Sequence, residues 1–469
     1  MKRFNLIIIL KMCAFLVGCA VSKDISLPDV APKSFRTDAV QQDSVNIGSV
    51  PFKDFIKDET VQNLIDTALI KNHDMQIALK NIDAAELLYK QSKLGNLPEV
   101  KALVSASSNR PSDNSMNGFT LSQFMGTNHI EDYNAGVGVL WEADIWGKIR
   151  NRKAGALASF LQTEEAKKAI QTRLVANIAQ GYYNLLMLDE QLEIAKKNLE
   201  LNENTLKIVN LQFNSGQVTS LAVQQTQAQK LNAEKLIPKL EQQITLQENA
   251  LSVLIGTLPK AINRKSSLDK MIIPENLNTG FPSQMLSFRP DIKSAEFALN
   301  VANAKVGIAT ANLYPSLTIS ASGGINSFKA SNWFNIPASL FGMVAGGITQ
   351  PIFQRGELKT NVELAKIDRE KVVIHFRQAV LNAVGEVSDE LIKIEKLKEE
   401  YSIAEKRVQT LQQASKNAEL LFKSGMANYL EVITAQGNLL QGELDLATIK
   451  TLQLNAIVGL YRSLGGGWK

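Results

Sequence analysis

Cysteine, histidine, aromatic residues and long apolar runs are all scarce in this chain of 469 residues. Its two cysteines, Cys13 and Cys19, both lie near the N-terminus, so the sequence predicts no disulfide framework. The three histidines, His73, His129 and His375, are far apart and lack metal-ligand spacing, so we expect no metal site. Aromatic residues make up 6% of the chain, which suits exposed or coiled-coil helices better than a compact aromatic core.

Motifs of the common enzyme classes are also missing. The chain contains no Gly-rich phosphate loop and no nucleophile motif of the usual kinds, so we expect no enzymatic activity and no cofactor. The formal net charge of +5 gives no indication of nucleic acid binding. Beyond the N-terminal leader, no segment resembles a transmembrane helix, which needs about 20 apolar residues.

The N-terminus carries the first specific signal. MKRFNLIIILKMCAFLVGC places basic residues before an apolar run and small residues, the order of a secretory signal peptide, here over residues 1–18. LVGC at 16–19 resembles a bacterial lipobox, so we predict lipidation of Cys19 and an N-terminal extension over 19–58. An ordinary signal peptide with a chance cysteine is the alternative. By resemblance to lipoprotein sorting, Ala20 favours the outer membrane.

The chain reads as two copies of one plan. Three glycines recur 209 residues later: Gly147, Gly216 and Gly256 as Gly356, Gly425 and Gly465. Two upstream residues recur 217 residues later: Asp74 and Pro98 as Asp291 and Pro315. The offsets differ because the first copy carries extra residues, which we place in the polar, turn-rich loop between Pro98 and Gly147.

Each copy is predicted as helix, strand, loop, strand, long helix, turn and helix. The first copy spans 59–256, with strands at about 98–144 and a helical hairpin over 148–256. A connector over 257–285 leads to the second copy at 286–465, with strands at about 315–351 and a hairpin over 357–463. Residues 466–469 form a tail.

The long segments have the periodicity of coiled-coil helices. Apolar residues share one heptad seam in each copy, namely Ile178, Leu185, Leu188, Leu192, Ala195 and Leu199, and Val380, Val384, Val387, Leu391 and Ile394. We expect Gly181 to be the small seam member that lets another backbone approach. A helix from one glycine to the next would be about 100 Å long, which points to coiled-coil packing rather than a globular domain.

The strand segments alternate apolar and polar residues. Tyr133, Val137, Val139 and Trp141 alternate with polar residues or glycine, as do Leu317 and Ile319. A soluble sheet with one face on a core is one interpretation. No other element remains to cover that face, so runs of about ten alternating residues favour transmembrane barrel strands. Trp141 and Trp146 are then candidates for an interfacial aromatic belt, with a buried structural role as the alternative.

Four strands cannot close a barrel, and an open edge in lipid would leave backbone groups unsatisfied. Closure therefore requires other copies: two would give eight strands, and three would give twelve with a lumen. The sequence predicts an α+β fold with an internal two-fold repeat. It forms an outer-membrane β-barrel with four strands per chain, continued by a long coiled-coil α-barrel.

Four short motifs, in this order and spacing, carry a family resemblance: Arg289-Pro290-Asp291, LYPSLTIS at 313–320, PIFQRGEL at 351–358 and the ending YRSLGGGW. With the duplicated plan, they make the chain similar to the TolC family of outer-membrane efflux channels, and the lipobox to its lipoprotein branch. The resemblance implies a homotrimer with twelve strands, a periplasmic α-barrel, contact with outer-membrane lipid, and docking to a periplasmic adaptor and an inner-membrane RND-type pump.

The resemblance also assigns roles to the hairpin turns. It implies that their tips contact the adaptor, with candidates Phe213, Ser215, Gly216, Gln217, Phe422, Ser424, Gly425 and Met426. It implies a periplasmic constriction at Glu431, where three chains would form a ring of carboxylates favouring cations. Thr434 stands where the family often has a second acid, and the first copy has Ala222 and Gln225 at the two positions. A solvated helix-surface glutamate is the alternative.

Three functions remain open from the sequence. The first is the passive exit duct of a tripartite efflux system for drugs or other small toxic compounds. The second is the outer-membrane duct of a type I protein-secretion system. The third is a lipid-anchored coiled-coil scaffold without a pore.

Overall fold

The computed structural model of the chain describes residues 22–26, 28, 46–273 and 287–469. Cys19 and the predicted signal peptide lie outside the described residues, as do residues 274–286 of the predicted connector. The helices are α1 (Phe52–Phe55), α2 (Glu59–Lys71), α3 (His73–Lys93), α4 (Met116–Thr120), α5 (Lys148–Asn214), α6 (Ser220–Leu254), α7 (Pro290–Ala311), α8 (Glu357–Lys423) and α9 (Tyr429–Ser463). The strands are β1 (Glu99–Asn109), β2 (Ile130–Ala143), β3 (Ser316–Ser327) and β4 (Leu340–Thr349).

The chain divides into two compact units. The sheet unit contains Asp83–Leu161, Glu296–Ile374 and the N-terminal segment up to Leu27. The helical unit contains Pro28–Ile82, Gln162–Ala295 and His375–Lys469. Each copy of the repeat contributes to both units, because the long helices α5 and α8 begin in the first and end in the second.

The sheet unit is built on one antiparallel sheet with strand order β1-β2-β3-β4. The central pairing joins the copies: Val137 lies opposite Gly323, and Trp141 lies opposite Ile319. β1 and β4 therefore each have one edge without a strand partner in the described part of the chain. Unpaired edge groups are available to another chain.

The two faces of this sheet differ in chemistry, because successive side chains of a strand point to opposite faces. One face is apolar apart from Ser327, the tyrosine hydroxyl and the indole nitrogen: the register places on it Val100, Ala102, Val104, Ala106, Tyr133, Ala135, Val137, Val139, Trp141, Ala143, Leu317, Ile319, Ala321, Ile325, Ser327, Leu340, Val344 and Ile348. The opposite face carries Lys101, Asn134, Glu142, Ser320 and Ser322. The predicted alternation therefore has the form expected of a sheet between lipid and water.

The helical unit contains two hairpins, α5–α6 and α8–α9. The predicted seam residues are buried, with Ile178, Leu185, Val380 and Val387 all at 0% exposure. Gly181 differs from our expectation: the Leu251 side chain lies over it, and the Gln247 amide donates to its carbonyl at 2.8 Å. A side chain, rather than another backbone, fills the space left by the missing Cβ.

The hairpin helices end in the same glycine-based motif. Gly216, Gly256, Gly425 and Gly465 have φ of 76–89°, the left-handed region that favours glycine. At the first hairpin turn the Gln217 N–H donates to the Gln212 carbonyl at 2.8 Å, and at the second the Met426 N–H donates to Leu421 at 2.9 Å. These are Schellman bonds, which satisfy the last carbonyls of a helix.

The two sequence offsets meet at the base of each hairpin. In the first copy, the Asn72 amide donates to the Leu254 carbonyl at 2.8 Å. In the second, the Arg289 guanidinium donates to the Ser463 carbonyl at 3.0 Å. Asn72 and Arg289 are 217 residues apart, whereas Leu254 and Ser463 are 209 apart. The same contact is thus made in both copies by different side chains, which confirms the internal repeat.

Candidate functional site

The hairpin tips are compact and partly shared between the copies. A buried cluster contains Val209 and Ala222 from the first hairpin and Phe422 and Val432 from the second. Phe213, the counterpart of Phe422, is instead 43% exposed, whereas Phe422 is 3% exposed. The repeat is therefore asymmetric at its tips, and the first copy presents the free aromatic ring.

The turn residues proposed as contact points lie at the surface. Ser215, Gly216, Gln217, Ser424, Gly425 and Met426 are all exposed. Nothing within the described residues would lie within 4 Å of a Cβ added at Gly216 or Gly425. The tips are accessible to a partner of unspecified identity.

Glu431 occupies the first turn of α9. The Asn428 side chain caps this helix by accepting from the Leu430 and Glu431 N–H groups at 2.9 and 3.2 Å. Glu431 and Thr434 are both exposed, and Glu431 forms no ion pair within the described part of the chain. A carboxylate near a helix N-terminus is favoured by the helix dipole.

A polar contact beside Glu431 has no clear signal in the sequence. The Tyr429 hydroxyl donates to the Gln225 side-chain oxygen, joining the first turns of α9 and α6. Gln225 is the counterpart of Thr434, so one copy's gate-equivalent position bonds to the other copy's helix start. The sequence places both residues near the tips, but only the fold shows that they meet.

The predicted belt residues lie at the end of β2 that leads into α5. Trp141 belongs to the apolar face, and its indole N–H donates to the Asn96 carbonyl at 2.8 Å. The Trp146 indole donates to the Pro315 carbonyl at 2.8 Å and stacks on Tyr314 with ring centroids 4.7 Å apart. Both indoles thus combine an apolar body with a satisfied polar tip, as interfacial aromatics do.

The segment that follows the predicted lipidation site is held against the sheet unit. The Asn303 side chain accepts from the Ile25 N–H at 3.3 Å and donates to its carbonyl at 3.2 Å. Arg369 donates to the Lys23 carbonyl at 3.1 Å. These contacts lie four to six residues after Cys19 and were not foreseen from the sequence.

The base of the second hairpin is fixed by a buried cation. Arg289 is 5% exposed and donates to Asp291 at 2.6 and 3.0 Å, and to Glu386 at 3.0 Å. Burial alone would raise the pKa of Asp291, but the guanidinium brings the net value below the usual range. The first copy has a different cation nearby: Arg264 of the connector donates to Asp189 at 2.7 and 2.8 Å and to Glu248. These groups fix the hairpin bases and are not arranged as catalytic groups.

Metal ligands do not converge in the described residues, where no three His, Cys, Asp or Glu side chains could together hold an ion.

Among the helices that the structure describes, none combines the length and apolar character needed to cross a membrane.

A four-stranded sheet with two chemically distinct faces, joined to tandem helical hairpins, is the architecture of solved outer-membrane channels. A crystal structure of CusC, described in connection with folding and transmembrane channel formation, is 27% identical with a TM-score of 0.83, covering 96% of this chain and 100% of that chain. The open-state Neisseria gonorrhoeae MtrE outer membrane channel is 25% identical with a TM-score of 0.84, at 96% and 99% coverage. The predicted fold class is confirmed.

Residues 64–257 and 281–466 match the model of the family described as outer membrane efflux protein, and the chain belongs to that family. Curated relatives include the cation efflux system protein CusC of Escherichia coli strain K12, 27% identical over 96% of this chain and 97% of its own. The probable outer membrane lipoprotein SilC of Salmonella typhimurium is 29% identical over 89% and 88%. The chain is an outer-membrane channel component of an efflux system, as predicted first among the three functions.

Proposed function

We propose that the chain is the passive exit duct of a tripartite efflux pump. It works as a homotrimer whose twelve strands close a barrel, and it is anchored in the outer membrane through a lipid on Cys19. The observation that carries the assembly is the open sheet, since β1 and β4 each leave one edge without a strand partner in the described chain. In lipid each unsatisfied backbone group costs several kcal/mol, and three copies remove all edges while leaving a lumen.

The partners in this proposal are a periplasmic adaptor and an inner-membrane RND-type pump, with adaptor contact at the exposed hairpin tips. The pump supplies the energy, and this chain has no enzymatic role. Its relatives bear the names of a cation efflux system and of a toluene efflux pump, the latter from Pseudomonas putida at 28% identity. Because such different cargoes appear among similar channels, we infer that the pump selects the cargo and the duct passes small toxic compounds.

Gene deletion tests this function. We expect the deletion strain to become more sensitive to at least one class of compound in a panel of drugs and metals, with resistance restored by the wild-type gene. The purified protein should conduct ions in planar bilayers without an energy source. Unchanged sensitivity across the panel together with lost export of a protein substrate would favour a type I secretion duct instead. A protein that gives no conductance and no heat-modifiable oligomer would be a scaffold.

We propose further that Glu431 forms the periplasmic constriction in the trimer. Its support is its place in the first turn of α9, next to the tip cluster and free of ion pairs in the described chain. Three carboxylates around one axis would attract cations and retain divalent ions. With Thr434 in place of a second acid, the constriction has a single acidic ring.

Glu431→Ala is expected to raise single-channel conductance and to weaken block by divalent cations in planar bilayers. Glu431→Gln separates charge from size, because it removes the carboxylate and keeps the side-chain length; it should weaken the block more than it raises conductance. The control is Glu241→Ala, an exposed glutamate within α6. If Glu431→Ala leaves both conductance and block at the wild-type level, Glu431 is a solvated surface residue.

A further inference from the structure

The two hairpins of one chain are joined by polar side chains along the seam between α5 and α9. Gln191 donates to the Thr448 hydroxyl at 3.1 Å and to the Leu444 carbonyl at 3.4 Å. Asn455 donates to Asn184 at 3.0 Å, Asn198 to the Gln436 carbonyl at 3.2 Å, and Gln436 to Thr205 at 3.0 Å. On α5 the positions are 184, 191, 198 and 205, a strict seven-residue repeat. We call this set the amide ladder.

The internal repeat relates this seam to a second pair of helices. α5 and α8 have identical lengths and are offset by 209 residues at both ends, as are α6 and α9. The counterpart of the α5–α9 seam is therefore an α8–α6 seam. The ladder positions map onto Lys393, Glu400, Arg407 and Ala414 of α8, and onto Gln227, Lys235, Lys239 and Leu246 of α6, all of which are exposed. A seam that is largely buried within the chain thus has an exposed equivalent on two separate faces.

The exposed equivalents of one ladder contact carry complementary charge. Gln191 corresponds to Glu400, Leu444 to Lys235 and Thr448 to Lys239. None of these three charged residues forms an ion pair within residues 46–273 and 287–469. Their charged neighbours, in contrast, are already paired: Lys230 lies 3.3 Å from Glu203, and Lys396 lies 3.0 Å from Glu399. An acid on one face and two bases on the other are left for a partner.

We propose that α8 of one copy packs against α6 of a second copy in the register that α5 and α9 adopt within the chain, with Glu400 paired to Lys235 and Lys239 of the neighbouring copy. The proposal rests on the oligomer of the proposed function and adds its register. Surface ion pairs contribute little stability on their own, but they fix which faces meet.

The charge pattern also selects against other assemblies. An isologous contact of α8 with α8 would bring two Glu400 carboxylates together, and a contact of α6 with α6 would bring lysines together. Like charges facing each other disfavour such pairings. A head-to-tail contact between different faces generates a ring when the rotation closes. The amide ladder thus sets the register within a chain, and its charged counterpart sets it between chains.

Cross-linking tests the register. The double variant Glu400→Cys with Lys239→Cys, treated with a short bismaleimide in native membranes, should give a ladder of linked dimers and trimers on denaturing gels. The control replaces the adjacent Glu399 with cysteine in place of Glu400, and it should give at least fivefold less linked product. Cys19 is retained in both proteins.

Charge reversal tests the pairing independently. Glu400→Lys alone, and Lys235→Glu with Lys239→Glu, should each lower the detergent concentration at which the oligomer dissociates, and the triple variant should recover it. Glu399→Lys is the matched control. An intact oligomer without the cross-linked ladder overturns the proposed register and leaves the proposed function standing. A wild-type protein that is monomeric in membranes overturns both.

Discussion

Arg289→Ala is expected to prevent the second hairpin base from forming correctly and to lower the yield of folded channel in the outer membrane. The guanidinium is buried and joins Asp291, Glu386 and the Ser463 carbonyl. Removing one partner of a buried ion pair leaves uncompensated charge, and such changes destabilise by about 3–5 kcal/mol. Arg289→Lys should be intermediate, since an ammonium cannot reproduce the two-pronged contact with Asp291.

The measurement is the apparent unfolding temperature of the purified protein at a fixed heating rate, since large membrane proteins unfold irreversibly. Arg152→Ala, which removes an exposed arginine, is the control. Because the pKa of Asp291 is lowered in the fold, its stabilising contribution is present above the ordinary aspartate pKa and is lost as pH falls through the lowered value. The wild type should therefore lose stability below about pH 4, and Arg289→Ala should lack this step. An alanine variant that unfolds with the control would show that the network is dispensable.

The repeat was predictable from sequence because backbone geometry constrains glycine directly. All six register glycines have positive φ, from 74° to 89°. A left-handed residue at a helix start or end admits few alternatives to glycine, so the spacing survives where side chains have diverged. The alternating strands were readable for a similar reason, since the pleat imposes a period of two on any sheet with distinct faces.

The contacts between elements could not be read in the same way. Asn184, Gln191 and Asn198 are seven residues apart, yet the same spacing occurs on solvated helix faces. Only the pairing of α5 with α9 distinguishes them. Similarly, Asn303 binds Ile25 across 278 residues, and no local pattern predicts a contact at that separation. Sequence periodicity identifies the faces of elements, whereas packing decides which faces meet.

Asn72 and Arg289 illustrate how far the repeat can hide in sequence. Both occupy the same place relative to a hairpin end, but one is a neutral amide and the other a cation with two carboxylate partners. Because a helix-terminal carbonyl accepts from any nearby donor, the contact is kept while the chemistry changes. Offsets alone, 217 upstream and 209 downstream, identify them as counterparts.

Gly256→Ala and Gly465→Ala are expected to be severely destabilising, far more than the same change at the hairpin tips. A Cβ at Gly465 would lie 2.8 Å from the Phe288 carbonyl carbon and oxygen. At Gly256 it would lie 3.0 Å from the Asn72 nitrogen and closer still to the Lys71 carbonyl. Backbone atoms cannot move aside as a flexible side chain can. Left-handed strain of about 1–2 kcal/mol adds to an overpacking penalty of about 1–3 kcal/mol.

Gly216→Ala, Gly425→Ala and Gly356→Ala form the control set, because they share the positive φ but have nothing within 4 Å of the added methyl group in the described residues. They should lose only the conformational term, about 1–2 kcal/mol, so their apparent unfolding temperatures should group close together. The two base variants should unfold well below that group and reach the outer membrane in reduced amount. Equal unfolding temperatures for all five variants would mean that the hairpin bases yield to the added methyl group. The close backbone approach that both copies make at Gly256 and Gly465 would then not be what holds each hairpin to the helix before it.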